Sequence, residues 1–547
     1  MAQKSAAPLA GDFQISGTVV DSVTGQPLSN TSVAIAPVLQ QNAFTTIVTA
    51  ENGHFLFAGL TAGKYTLTAQ RRGYLAQTFN QHEQYFSSIA VGPDLDSNNL
   101  VFRLTANGAI FGTVTDEEGE GIRDAQVMLF QSSISGGSRS TRHRASVVTD
   151  EEGSYHFAHL PAGRYFIAVS ARPWYAQGPP PRNITLHSTV DRNPSIGQGS
   201  SITIRGNGSS SDDAEPPPSP LDVAYPLTFY AGATESSGAT PIDLGKGERA
   251  SIDISLQPVP ALHVRVNTGS SNPEWQSNAS LQEIIFGGTP IPVYADSIQV
   301  SPGVMEVAGI APGHYNMTIN SWDNNGMQAL QERSVNVSRS GEVDASSANS
   351  LIQLSAMVRL EAVAAMPDNA RLILRNKNSP QILNESIQSK GEVEFKLGVP
   401  PGSYEVSMQS GEQIFIKNVS ASGAKVIGRT IELKGTAPVT LSVLVARGEG
   451  NVSGVALREG KPFAGAMVVL IPPDPANSPS LFRRDQSDSD GTFTLANVVP
   501  GRYTLLAIEN GWELEWANPE VLRKFMAQGE AVIVEPKGKY SVKVKVQ

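Results

Sequence analysis

One short phrase recurs five times along this chain, and it constrains the fold more than any other feature. An aliphatic residue is followed by two variable residues, Gly, one variable residue and Tyr. The copies are Leu60-Thr61-Ala62-Gly63-Lys64-Tyr65, Leu160-Pro161-Ala162-Gly163-Arg164-Tyr165, Ile310-Ala311-Pro312-Gly313-His314-Tyr315, Val399-Pro400-Pro401-Gly402-Ser403-Tyr404 and Val498-Val499-Pro500-Gly501-Arg502-Tyr503. A second glycine precedes each motif Gly by ten or eleven residues, at Gly53, Gly153, Gly303, Gly391 and Gly491. The motif glycines are 100, 150, 89 and 99 residues apart. A period near 100 suits small β-sandwiches and not the short units of solenoids or propellers. The expected fold is all-β: five tandem Ig-like or transthyretin-like antiparallel β-sandwich domains, set in an elongated row.

The chain read in order fits that division. Residues 1–12 read as a flexible tail, and the first sandwich spans 13–105. It opens on the period-two alternation of Phe13, Ile15, Gly17 and Val19, a strand signal. The second spans 106–258 and carries a long insertion at about 171–240, which accounts for the 150-residue gap. Its run from Ser209 to Pro220, rich in Ser, Asp and Pro, buries little apolar surface and is expected to be a mobile loop. The third (259–345) and fourth (346–436) sandwiches keep the motif but lose the opening Gly-x-Val and the Gly-x-Pro turn. The fifth (437–547) is a clean copy. It adds a short helix near 518–527, with Asn518 as N-cap, Pro519 in the first turn and Val521, Leu522 and Phe525 on one face. Its last strand alternates Lys539, Lys543 and Lys545 with Val542, Val544 and Val546, the pattern of an edge strand guarded against pairing with another chain.

The motif itself reads as structural. Gly63, Gly163, Gly313, Gly402 and Gly501 each mark a bend between strands that needs freedom from a Cβ. Pro before the Gly in four copies stiffens that bend. Tyr65, Tyr165, Tyr315, Tyr404 and Tyr503 are expected to bury their rings and send their hydroxyls to backbone groups, pinning a corner. A binding role would require these rings to be exposed.

Gly-x-Val, Gly-x-Pro, a short apolar strand, Asp/Asn-Gly-x-Phe and Leu-Pro-x-Gly-x-Tyr together resemble the carboxypeptidase regulatory-like repeat. That repeat is a transthyretin-like β-sandwich related to the Cna B-type surface domains. The resemblance covers about 13–105, 106–170 and 450–547 well and 259–436 weakly. Tyr225-Pro226-Leu227-Thr228-Phe229-Tyr230 and the Asn518-Pro519 helix are similar to extensions in exported proteins of soil bacteria such as Acidobacteria. The resemblance implies a non-enzymatic protein that is extracellular, on the cell surface or periplasmic. Cna B-type domains often carry a Lys–Asn or Lys–Asp isopeptide bond. The opening strands at 13–20, 110–115 and 452–457 contain no Lys, so that bond is not carried over.

Composition excludes several other classes. The net charge is −10, which offers nothing to a polyanion such as nucleic acid. No run of 18 apolar residues is present, so no transmembrane segment is expected. Cysteine is absent, which removes disulfides and thiolates and leaves the compartment open. Residues 1–10 lack the apolar core of a signal peptide, and a mature N-terminus preceded by an added Met1 is the expectation. No His has a Glu three positions later, so a zinc peptidase site is not expected. His156 and His159 fall on opposite faces of a strand. Asp485-x-x-Asp488-x-Asp490-Gly491 has a calcium-loop flavour but lacks the full acid spacing, and a hairpin turn suits it better. No catalytic, cofactor-binding or metal-ligating set is expected.

Aromatic residues follow the motif strand in several repeats: Tyr74, Trp174, Tyr175, Trp322 and Trp512. Two readings stand side by side, stacking on sugar rings at loop tips and packing at a domain end or against the neighbouring domain. The expected function is therefore a structural or adhesive role, as a surface spacer or a self-assembling, filament-forming subunit with a protein partner or itself. The alternative is a carbohydrate-binding protein that uses these aromatics.

Overall fold

Each copy of the phrase forms a corner between two strands, and the tyrosine closes it the same way every time. The Oη of Tyr65 donates to the carbonyl of Thr61 at 2.9 Å, Tyr165 to Pro161 at 2.7 Å, Tyr315 to Ala311 at 2.6 Å, Tyr404 to Pro400 at 2.9 Å and Tyr503 to Val499 at 2.8 Å. All five rings are buried. The hydroxyl thus satisfies a carbonyl that the bend has removed from its ladder. In the third and fourth copies the glycine two residues earlier makes room for this ring: a Cβ on Gly313 would sit 2.8 Å from Tyr315 Cζ, and one on Gly402 3.1 Å from Tyr404 Cε2. Close ring packing requires glycine in those two copies, whereas a Cβ on Gly63 would meet nothing within 4 Å.

The structure, a computed structural model, describes residues 11–40, 43–176, 219–267, 276–301, 303–322, 328–344, 351–361, 366–377 and 382–547. The run Ser209 to Pro220 lies outside the described residues except for its last two positions. Strands dominate, and the helix Pro519–Met526 is capped by Asn518, whose side chain accepts from Glu520 N at 3.0 Å.

Among the described residues, five large clusters of buried side chains form, each enclosed by two sheets. In the first, the strands His54–Leu60, Phe13–Asp21 and Leu100–Leu104 face a sheet built on Ser32–Pro37 and Gly63–Gln70. Ile15, Val19, Phe55, Leu67 and Phe102 fill the space between. The other four repeat the plan. One departure from an antiparallel sandwich recurs in every copy: the opening strand and the closing strand are parallel neighbours. Phe13–Asp21 runs alongside Leu100–Leu104, Leu262–Asn267 alongside Gly341–Asp344, Ile352–Leu360 alongside Val439–Arg447 and Gly450–Arg458 alongside Lys539–Lys545. In the second, Gly108–Thr115 pairs in parallel with two short strands, Arg249–Ser251 and Ile254–Ser255.

Two backbone positions repeat with the corner. The turn glycines Gly53, Gly153, Gly303, Gly391 and Gly491 all take φ between 71° and 85°. The residue four before the motif Gly is also left-handed in all five copies: Gly59, His159, Gly309, Gly398 and Asn497. It lies in a β-bulge where the strand entering the corner leaves register with the opening strand.

The insertion in the second sandwich returns as Thr228–Phe229, paired with the strand Gly163–Ser170, and Phe229 is fully buried. Phe286 of the third sandwich packs against Phe130, Phe166 and Phe229 with ring centroids 5.0 to 5.6 Å apart, which fixes the second sandwich to the third. Phe415, Ala446 and Val499 do the same between the fourth and fifth.

The five units do not form a row. The fifth is seated against the first and the second, about 400 residues back along the chain. The reason is legible in its sheet: Met467–Ile471 is buried at all five positions, so both faces of that strand are covered. The inner face joins the fifth core, and the outer face builds a second cluster from Met467, Val469, Leu506, Phe482, Trp512, Trp516 and Leu522 of the helix. Tyr85 of the first sandwich and Ile134 of the second pack against that cluster.

Candidate functional site: the seam between the first, second and fifth sandwiches

The seam begins with the hairpin strand Arg483–Gln486, which alternates its side chains between neighbours. Arg484 turns outward. Its guanidinium pairs with Glu83 of the first sandwich (Nη2–Oε2 2.9 Å, Nη1–Oε1 3.4 Å) and lies over the rings of Trp516 at 4.1 Å and Tyr85 at 5.0 Å. The Arg484 side chain is only 6% exposed and Glu83 30%, so this is a largely desolvated pair held by a fork and by aromatic faces.

Gln486 follows and is 1% exposed. Its Nε2 donates to Asn80 O at 2.7 Å and Ser87 Oγ at 2.9 Å, and its Oε1 meets His82 Nδ1 at 3.0 Å. The turn beyond it is bound through its backbone and short side chains. Ser87 Oγ donates to Ser487 O at 2.9 Å, Ser88 N to Asp488 Oδ1 at 2.7 Å, Ala90 N to Ser489 Oγ at 2.8 Å and Ser489 N to Ser88 O at 3.0 Å. Lys64, the variable residue of the first motif, donates to Asp488 and Thr492 and stands 3.7 Å from Asp490.

The calcium-flavoured acids are thereby accounted for. Asp488 serves Lys64 and Ser88, and Asp490 accepts from Thr492 N at 3.0 Å and Thr492 Oγ1 at 2.6 Å. Asp485 accepts from Thr494 N at 2.7 Å and Gln486 N at 2.9 Å. Among the described residues no group of three or more His, Asp or Glu side chains is placed to hold a metal ion.

Burial pushes the Asp485 carboxyl up to about 6, against the backbone donors of Thr494 and Gln486 that hold it down; Asp488 adds to the rise and Lys64 opposes it. The folded chain therefore prefers this group protonated. The contribution is fully present below the unfolded carboxylate value near 3.9 and is lost as pH rises through about 6. We expect the fifth sandwich to gain on the order of 1 kcal/mol between pH 7.5 and 5 relative to Asp485→Asn, whatever that variant's own stability. Amide exchange of Met467–Ile471 at the two pH values measures it, and equal slopes in the two proteins would overturn it.

The second sandwich closes the seam. Ala517 N donates to Gly137 O at 3.0 Å, and Arg139 N donates to Glu515 Oε1 at 2.8 Å. Gly137 is needed for this approach, since a Cβ there would overlap Ala517. The first and second sandwiches meet on their own account, with Asn107 N donating to Gly73 O at 3.1 Å. Where the three units converge they leave an open cleft of about 950 Å³.

The loop aromatics do not gather in one groove. Trp512 is 7% exposed: it stacks on His82 at 5.1 Å with planes 7° apart and donates to Gly465 O at 3.2 Å. It is a seam residue, not a loop tip. Tyr74 donates to Asp21 Oδ2 at 3.0 Å and lies under Arg71. Tyr175 donates to Glu117, which also receives Tyr225 Oη at 2.8 Å. Trp174, 87% exposed, packs edge-on against Tyr175, and Trp322 is at the border of exposure on the third sandwich. Sequence reasoning missed Arg484, Gln486 and Trp516. The available signal was the unbroken apolar runs Met467–Ile471 and Leu505–Ile508, which mark strands buried on both faces.

Residues 14–105 and 109–192 match the carboxypeptidase regulatory-like domain, a non-catalytic β-sandwich. No curated protein matches the chain. Among solved structures, the TIE protein of Bacillus anthracis is 10% identical over 81% of this chain and 75% of its own, with a TM-score of 0.18. GBS52, the minor pilin of Streptococcus agalactiae, is 14% identical over 36% of this chain and 94% of its own, with a TM-score of 0.19. The shaft pilin SpaA of Lactobacillus rhamnosus GG is 11% identical over 45% and 97%, with a TM-score of 0.18.

Proposed function

We propose that this chain, which carries two carboxypeptidase regulatory-like domains, is a non-catalytic structural or adhesive scaffold that works outside the cytoplasm. In this reading the five packed units are domains with boundaries near 13–105, 106–258, 259–345, 346–447 and 448–547, the last boundary lying after the expected 436 because Val439–Arg447 closes the fourth core. The motif glycines and tyrosines, Gly63 and Tyr65 and their four counterparts, hold corners and are not ligand contacts. The carrying observation is the seating of the fifth sandwich on the first through the largely desolvated Arg484–Glu83 pair and the satisfied, buried Gln486 amide, and on the second through Gly137 and Arg139. A flexible spacer has no use for such a seam, whereas a body that must present fixed surfaces does. Its partner is a protein, a second copy of itself, or the ligand argued for below.

Light scattering combined with small-angle X-ray scattering, across a concentration series, tests this. A closed body, monomeric or in a discrete oligomer, with the first and fifth sandwiches in contact is the expected result. An extended, flexible string of domains would overturn the scaffold reading. Concentration-dependent fibres of closed bodies would assign it to the self-assembling kind.

A further inference from the structure

The cleft at the seam is lined from three sandwiches: Gln84 and Tyr85 from the first, Gln131, Ser133 and Arg144 from the second, Arg484 and Trp516 from the fifth. Its size lies in the range of ligand sites, and junctions between domains are where such sites concentrate. Three observations bear on what it would hold.

The first is Arg144. Strand Ser138–Val148 pairs with Gln126–Ser135, but the register passes from Leu129↔Ala145 to Phe130↔His143, so Arg144 is the extra residue of a β-bulge. A bulge re-aims a side chain that the pleat would place elsewhere. Arg144 lines the cleft, is exposed, and has no ion-pair partner among the described residues. Arg142, two residues before it on the same strand, is exposed but does not line the cleft.

The second is Trp516. It is 7% exposed, and its indole N–H is buried without an acceptor. Indole and guanidinium only donate. The third is charge. The carboxylate that lines the cleft, Glu83, is already taken by Arg484, so the uncompensated charge is positive in a chain of net charge −10. Beside the apolar Leu75, Ile134, Pro161 and Phe482, the lining offers side-chain amides and hydroxyls that both donate and accept, as sugar hydroxyls do.

We propose that the cleft binds an oligosaccharide bearing carboxylates, a uronic-acid chain, with one carboxylate on the Arg144 fork and the hydroxyls on Gln84, Gln131 and Ser133. This rests on the closure described above. Scattering on the same samples separates an open seam from an empty cleft.

The test is calorimetric titration of the full chain with tetragalacturonate, with cellotetraose as the neutral probe and tetraglutamate as the acidic peptide. We expect tetragalacturonate to bind at least tenfold tighter than either control. Arg144→Gln should lose tenfold or more, Arg144→Lys less, and Arg142→Gln almost nothing. No heat from tetragalacturonate at about 1 mM with the seam closed would overturn the proposal. Equal losses in Arg144→Gln and Arg142→Gln would do so too, by reducing binding to surface charge. Tetraglutamate matching tetragalacturonate would remove the saccharide.

Discussion

Replacing Arg484 with Ala opens the seam between the first and fifth sandwiches while leaving the five cores folded. The substitution strands Glu83 beside an apolar cluster and removes the cation from over Trp516 and Tyr85. Breaking a buried pair from one side costs about 3–5 kcal/mol, and a desolvated cation–π contact is worth about 2. Glu83 keeps 30% of its surface in water, which lowers the first figure. A loss of about 3 kcal/mol in closing free energy is expected, a change of roughly a hundredfold in the open-to-closed ratio. Small-angle scattering should report a larger radius of gyration. The amides of Ser88 and Ala90, which donate across the seam to Asp488 and Ser489, should exchange faster. Those of Met467–Ile471 should remain protected. Arg484→Lys should behave nearly as badly, because an ammonium cannot lie flat between rings while pairing a carboxylate through a fork. An unchanged radius and unchanged exchange would show that the seam does not depend on this residue.

Gly391→Ala unfolds the fourth sandwich alone. Gly391 holds φ of +85°, and a Cβ there would overlap the carbonyl oxygen of Val358. Two backbone bonds meet at this residue: its N–H donates to Gln388 O at 2.7 Å and its carbonyl accepts from Val358 N at 2.8 Å. The left-handed conformation costs an alanine about 1–2 kcal/mol before any clash is counted. The overlap cannot be relieved without pulling Val358 out of the core, so the sum exceeds about 3 kcal/mol. Exchange protection should vanish across Ile352–Leu360 and Gly402–Gln409 and persist in the other four units. Loss of protection spread evenly over the chain would mean the sandwiches do not fold as separate units.

These two residues also mark what sequence can and cannot reveal. Gly391 was visible because the constraint on it is local: a tight turn leaves glycine at one position, and five copies repeat it. The tyrosines were visible for the same reason, since donor and acceptor are four residues apart. The left-handed residue four before the motif Gly was present in the letters but unreadable. Gly59, His159, Gly309, Gly398 and Asn497 share no side-chain chemistry, only a tolerance for φ above zero. Arg484 was not visible at all. Its partner lies 401 residues away, and neither hydrophobic period nor turn chemistry carries such a pairing. Trp512 stayed between two readings, because an aromatic after a glycine can be a loop tip or a residue packed on a neighbouring domain, and the letters do not say which surface it meets. The unbroken apolar run Met467–Ile471 should have shown that the fifth sandwich has a second face to cover.

The parallel pairing of first and last strands has a mechanical meaning. When the two ends of a sandwich are pulled apart, neighbouring parallel strands slide past one another, and every rung of the ladder bears load at once. Five rungs join these strands in the first sandwich and seven each in the fourth and fifth. The seam is loaded differently, because it joins the units that hold the two ends of the chain. Tension between those ends falls first on the side-chain contacts around Arg484 and Gln486. Such a chain yields in two stages: a soft release of length as the seam parts, then a stiff resistance as each ladder is sheared.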